Sequence, residues 1–155
     1  MQELEIRQEA RFALWALRCC AQTDQPLQDS WARVTWAFEI TDVSETLSDF
    51  WRFASELCSA AVPGFEWHSP DCPCVSEEEL QLVQALAEAA ELQNAANPRP
   101  AAWWRGVVAD ETVTSIDALA RKWLSGLLRA GIRFPTLDVL LRGAPEQTLL
   151  SSGRR

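Results

Sequence analysis

Tyrosine is absent from this chain, histidine and methionine occur once each, and glycine appears only six times in 155 residues. The scarcity of histidine and of glycine each closes a class of function. A single histidine cannot furnish the paired Glu-x-x-His motifs of a di-iron bundle, nor an H-E-x-x-H zinc site. The few glycines build no phosphate-cradling loop, no dinucleotide fingerprint and no G-x-S-x-G nucleophile elbow. Basic residues are also in short supply. Against 22 Asp and Glu there are 14 Lys and Arg, a formal charge of -8, and the pI lies near 4.7. Such a surface repels nucleic-acid backbone and anionic lipid, so neither is expected as a partner. No apolar run reaches membrane-spanning length, and the N-terminal MQELEIRQEARF is charged and amphipathic, without the apolar core of a secretory signal. Cytoplasmic residence is the expectation. The five cysteines, an odd number, are then expected to be thiols rather than a disulfide framework.

What the chain does have is apolar periodicity. Hydrophobic residues make up 48% of it, with eight tryptophans, and no stretch alternates with the period of two that marks a strand. The expected architecture is all-α: a single compact helical domain or irregular helical bundle over residues 1–147, with a flexible tail at 148–155. About five main helices and one or two short ones account for the pattern. The first is expected over Gln2 to about Cys20. The second runs from Pro26 to about Ile40, with Leu27, Trp31, Val34 and Phe38 as its inward stripe. Thr41, Asp42 and Ser44 offer caps for a third helix reaching Ala61. Ser76 with Glu79 is a capping box that opens a fourth, reinforced by Glu77 and Glu78 and ending near Asn97-Pro98. Ala101 to Asp110 suits a short helix, with some strand character at Val107-Val108. Thr114 with Asp117 repeats the cap signature more weakly ahead of a stripe of Ile116, Leu119, Ala120, Trp123, Leu124, Leu127 and Leu128, which Arg129 and Gly131 close. A last short segment is expected from Pro135 to near Gly143.

Two places could carry function. The first is HSPDCPCVSEEEL, which sets the only histidine, His68, beside Cys72 and Cys74. Imidazole and thiolate suit zinc or copper(I). The Cys-x-Cys spacing is awkward for a shared ion, however, because alternate residues of an extended chain lie ~6–7 Å apart and Pro73 stiffens the step between them. Zinc is the cofactor such a site would hold. The same pair of thiols could instead serve redox chemistry, with Cys74 just ahead of a helix N-terminus but facing the acidic run Glu77 to Glu79. As a purely structural feature, the stretch is a proline-stiffened turn whose cysteines fill space.

The second place is Trp103-Trp104 followed by Arg105. Adjacent indoles on a helix diverge by about 100°, so one is expected to pack beneath and the other to meet a groove or a partner. Tryptophan with arginine is the side-chain chemistry of binding hot spots. Carboxylate pairs such as Asp42 with Glu45, or Asp110 with Glu111, are expected to be solvated or to cap helices. The functional expectation is a non-enzymatic helical module that binds another protein or a second copy of itself through Trp103, Trp104 and Arg105. A metal- or thiol-dependent protein using His68, Cys72 and Cys74 is the alternative.

Overall fold

The computed structural model describes residues 6–22, 27–93 and 99–140. Residues 2–5 of the expected first helix, Pro26, the expected fourth-helix end at Asn97-Pro98, the last segment beyond Leu140 and the expected tail at 148–155 lie outside the described residues. Five α-helices make up the described fold: α1 (Gln8–Ala21), α2 (Leu27–Ile40), α3 (Leu47–Ala60), α4 (Glu77–Leu92) and α5 (Val113–Arg129). Short 3₁₀ turns cover Ser44–Thr46, Ala102–Gly106, Asp110–Thr112 and Leu137–Val139. There is no strand among the described residues, as expected. The strand character at Val107-Val108 resolves into one isolated antiparallel bridge between Val108 and Ala61, with Val62 N–H donating to Val107 O at 2.9 Å and Ala109 N–H to Ala60 O at 3.1 Å. No described helix is long and apolar enough to cross a membrane.

The core is organised around α3, whose Phe50, Phe53, Ala54 and Leu57 are buried and which packs most extensively on α5. A chain of aromatic rings runs through it. Phe12 of α1 meets Phe38 of α2 at 5.4 Å, Phe38 meets Phe50 at 5.1 Å and Phe50 meets Trp123 of α5 at 4.9 Å. Trp123 stacks on Phe53 at 6.0 Å, and Phe53 meets Trp104 at 6.0 Å. Each ring contributes both buried area and an oriented aromatic contact, which ties four helices and the 102–106 turn into one core. One turn beyond Trp123, Gly126 lets the 44–46 turn come close: a Cβ at that position would sit 3.2 Å from Thr46 Cγ2.

Local signals decide several boundaries and mislead at others. The capping box at α4 forms as expected. Ser76 Oγ accepts from Glu79 N–H at 3.1 Å, and Glu79 Oε1 accepts from Ser76 N–H at 3.1 Å. At the end of α5, Gly131 adopts φ 92° and Ile132 N–H reaches back to Leu127 O at 2.8 Å, the left-handed close its sequence anticipates.

Three readings need correction. Thr41 and Asp42 finish α2 rather than start α3. Asp42 takes φ 62°, Val43 N–H donates to Phe38 O at 2.9 Å and Thr41 Oγ1 donates to Ala37 O at 2.7 Å, so α3 begins only after the 44–46 turn and makes no side-chain cap bond. Likewise Thr114 and Asp117 do not cap α5, which starts at Val113 without a side-chain cap; Asp117 is turned inward to serve buried donors. Trp31 shares the helical face of Phe38 but is 42% exposed. It lies two turns nearer the start of α2, past the edge of the core, where it meets Trp51 edge-on at 4.6 Å.

Candidate functional site

The loop between α3 and α4 is built from below by a residue of α1. Arg18 sits in the apolar stripe between Leu17 and Cys19, and its side chain is only 4% exposed. Its Nε and Nη2 donate to Glu79 Oε2 and Oε1, each at 2.8 Å, a two-pronged contact with a carboxylate that is 0% exposed. The rest of the guanidinium faces the loop. Nη2 also donates to Cys74 O at 2.6 Å, and Nη1 to Cys72 O at 2.9 Å and Ser69 O at 3.4 Å. Glu79 completes the arrangement by accepting from His68 N–H at 3.0 Å. Desolvating two charges is costly unless every remaining donor and lone pair finds a partner, and here the backbone of the loop supplies those partners. Ser76 Oγ–H donates to Glu66 O at 2.7 Å, and Glu66 N–H donates to Glu78 Oε1 at 3.1 Å. Phe65 and Trp67 pack with ring centroids 4.4 Å apart and lie against the core.

This scaffold fixes His68 and Cys72 together. Cys72 Sγ lies 3.5 Å from His68 Nδ1, and on the other side of the ring His68 Nε2 lies 3.6 Å from Glu66 Oε1. The imidazole is mostly enclosed, at 12% exposure, and its Nε2 is buried without a hydrogen-bond partner among the described residues. Cys72 also lines a cavity of about 380 Å³ between the loop and α1, whose walls include Phe12, Trp15, Arg18 and Val75. A thiol, an imidazole and a carboxylate in sequence beside a cavity can move a proton off sulfur as the sulfur bonds to an electrophile.

Cys74 does not complete a ligand set. Among the described residues, no three His, Cys, Asp or Glu side chains are placed to hold a metal ion. The carbonyls at 69, 72 and 74 are drawn toward Arg18, which fixes the loop's path through the Cys-x-Cys step. None of the five cysteines is in a disulfide. Burial pushes the Cys19 thiol up to about 11, with Arg33 opposing and Asp71 adding to the effect. Burial first, then the neighbouring Cys58 and Cys19, take Cys20 to about 12, and burial takes Cys58 to about 11. These three stay protonated near neutral pH, which leaves them poor nucleophiles.

The tryptophan pair divides as its spacing requires. Trp104 is fully buried, with its indole N–H donated to Asp117 Oδ1 at 2.9 Å, the same oxygen accepting from Ala101 N–H at 3.0 Å. Asp117 Oδ2 pairs with Arg121 Nε at 2.6 Å. Trp104 is therefore withdrawn from any contact surface, because the buried carboxylate beneath it claims its polar edge. Trp103 remains 39% exposed and Arg105 is exposed beside it.

Two features escaped the sequence. Arg18 could have been suspected from a charge set among Leu14, Leu17 and Cys19, but nothing local names Glu79 as its partner. The second is the outward side of α2, where Trp36 is 62% exposed and Ile40 61% exposed. Its signal was Trp36 falling off the helix's inward stripe. Comparison with protein-family models, curated proteins and solved structures finds no match to this chain.

Proposed function

We propose that this chain is a non-enzymatic interaction module whose contact face is the outward side of α2. The observation that carries this reading is the exposure of Trp36 and Ile40, 62% and 61%, in a protein that buries Trp104 and Trp123 completely. The two residues stand one turn apart on the helix and form an exposed apolar stripe that no described residue covers. Tryptophan is the side chain most enriched among interface anchors. Trp103 and Arg105 add a second, separate exposed spot.

Charge selects the kind of partner. Asp29 shares the stripe and Glu39 flanks it, both exposed, while Arg33 lies over the Trp15 ring at 5.7 Å. A second copy would bring acidic flanks together on a chain of net charge -8. The fitting partner is instead an amphipathic helix with an apolar face and a lysine- or arginine-rich rim. Such a partner belongs to the cytoplasm, where the thiols stay reduced.

The test is calorimetric titration with a Leu/Lys amphipathic helical peptide. Trp36→Ser combined with Ile40→Ser is expected to weaken binding by roughly tenfold or more, the loss typical of an interface anchor. Equal binding by the variant refutes the reading. Sedimentation of the protein alone is expected to give the 17.4 kDa monomer; a dimer that the same variant dissociates replaces the foreign partner with self-association.

The Cys72–His68 contact at 3.5 Å supports a second reading, thiol–disulfide exchange at Cys72. The sulfur attacks one sulfur of a low-molecular-weight disulfide, the new S–S bond forms, and the other sulfur leaves as thiolate. The Cys72 proton passes to His68 Nδ1, with Glu66 facing the far nitrogen. This chemistry is favoured here over zinc held by His68, Cys72 and Cys74, since the one nitrogen and one sulfur brought together fall short of the four donors a structural zinc takes. Titration with an aromatic disulfide at neutral pH is expected to show a fast thiol that Cys72→Ser removes and His68→Gln slows by at least about tenfold. If His68→Gln reacts as fast as the native protein, the histidine takes no part.

A further inference from the structure

Trp123 and Trp104 are both fully buried, yet the protein treats their indole N–H groups differently. Trp104 has the Asp117 carboxylate at 2.9 Å. Trp123 Nε1 has no hydrogen-bond partner among the described residues. Its surroundings offer rings rather than oxygens. Phe50 meets it at 4.9 Å with planes at 60°, and Phe53 stacks on it at 6.0 Å with planes at 20°. A buried donor without an acceptor is uncommon, because its lost hydration is not replaced.

The same indole is a wall of a cleft of about 330 Å³ between α1, the end of α2 and the close of α5. Phe12, Leu127 and Ile132 supply apolar walls, while Glu9 and Arg133 stand at it with one charge of each sign. Gln8 and Thr41 also stand at it; the volume falls in the range of small-molecule sites, and apolar walls with a small number of polar groups are their pattern as well. The opposed charges of Glu9 and Arg133 give the cleft no net demand for an ion.

We infer that this cleft binds a small uncharged apolar molecule carrying one carbonyl-type acceptor, which takes the Trp123 indole N–H while its apolar body lies against Phe12, Leu127 and Ile132. The site is distinct from the α2 face and from the Cys72 loop, so it stands or falls separately from both.

Acetophenone is a suitable probe and ethylbenzene its counterpart without the oxygen. Both are titrated into ¹⁵N-labelled protein while the indole N–H resonances are followed. The resonance that disappears in Trp123→Phe is the one expected to move with acetophenone and to stay nearly still with ethylbenzene. Trp123→Phe is expected to weaken acetophenone at least fivefold and to leave ethylbenzene unchanged. If Trp123→Phe does not fold, Ile132→Trp serves instead, since a larger side chain at the wall is expected to abolish binding of both probes. The proposal is overturned if the Trp123 resonance ignores acetophenone at saturation, if ethylbenzene binds as tightly, or if Ile132→Trp binds both probes as the native protein does.

Discussion

Replacing Arg18 with methionine keeps an unbranched side chain in the apolar stripe of α1 and deletes only the charged fork. The fork makes two bonds to Glu79 at 2.8 Å and three to loop carbonyls at 2.6, 2.9 and 3.4 Å. Without it the Glu79 carboxylate stays buried at 0% exposure, retaining only N–H donors from His68 and Ser76. Stranding one member of a buried ion pair costs about 3–5 kcal/mol. The carbonyls of Ser69, Cys72 and Cys74 add less, because these residues are half-buried or exposed and water can reach part of the loop. Against a total stability of about 5–15 kcal/mol for a domain, the loss is a large fraction. Urea unfolding followed by far-ultraviolet circular dichroism measures it. The double variant Arg18→Met with Glu79→Leu removes both charges, and a buried pair can often be exchanged for apolar residues without loss. Here the exchange is expected to recover only part of the stability, since the loop carbonyls and two N–H groups still lack partners. A loss below about 1 kcal/mol for Arg18→Met refutes the reasoning, given the magnitude expected for a stranded buried charge. Full recovery in the double variant shows that pinning the loop contributes nothing.

Asp42 holds φ 62° at the end of α2, so Asp42→Gly is expected to raise stability by about 0.5–1 kcal/mol in the same urea assay, relief of left-handed strain outweighing the backbone entropy of glycine. Asp117→Ala removes the acceptor for Ala101 N–H and the Trp104 indole and leaves Arg121 only the Leu92 and Arg99 carbonyls. It is expected to cost about 3–4 kcal/mol and to change the near-ultraviolet dichroism of the buried indole. Cys19, Cys20 and Cys58 ionise near 9.0 when unfolded and at about 11, 12 and 11 when folded. Because the fold raises these values, their contribution is complete below pH 9 and disappears as the pH climbs through the folded range. Stability is expected to fall in that window alongside a rise in thiolate absorbance, which no tyrosine obscures; three thiols titrating near 9 in the native protein would contradict the burial argument.

The legible parts of this fold are those governed by neighbours in sequence. Ser76 and Glu79 form their cap because both partners lie within one turn, and Gly131 closes α5 because its φ 92° suits no other residue as well. The helical class followed from periodicity, which any solvent-facing helix must show. Where the reading failed, a distant partner decided. Asp117 resembles a capping residue until Trp104 and Ala101 arrive to claim it. Trp31 has the right helical angle, but its depth along α2 depends on where α3 ends its cover. His68 and Cys72 could be paired from their spacing of four, whereas the guanidinium that shapes their loop comes from 54 residues before Cys72. The exposure of Trp36 and Ile40 was foreshadowed only by their absence from the inward stripe.

The separation of Arg18 from the loop it holds has a consequence for the order of assembly. A loop whose carbonyls close on a side chain 51 to 56 residues upstream cannot take its shape from its own sequence. Its full set of hydrogen bonds is expected only once α1 has docked and α4 has carried Glu79 into place, which closes a long chain segment. The Cys72–His68 contact is accordingly expected to loosen when α1 is displaced. Its presence reports that the first helix has arrived.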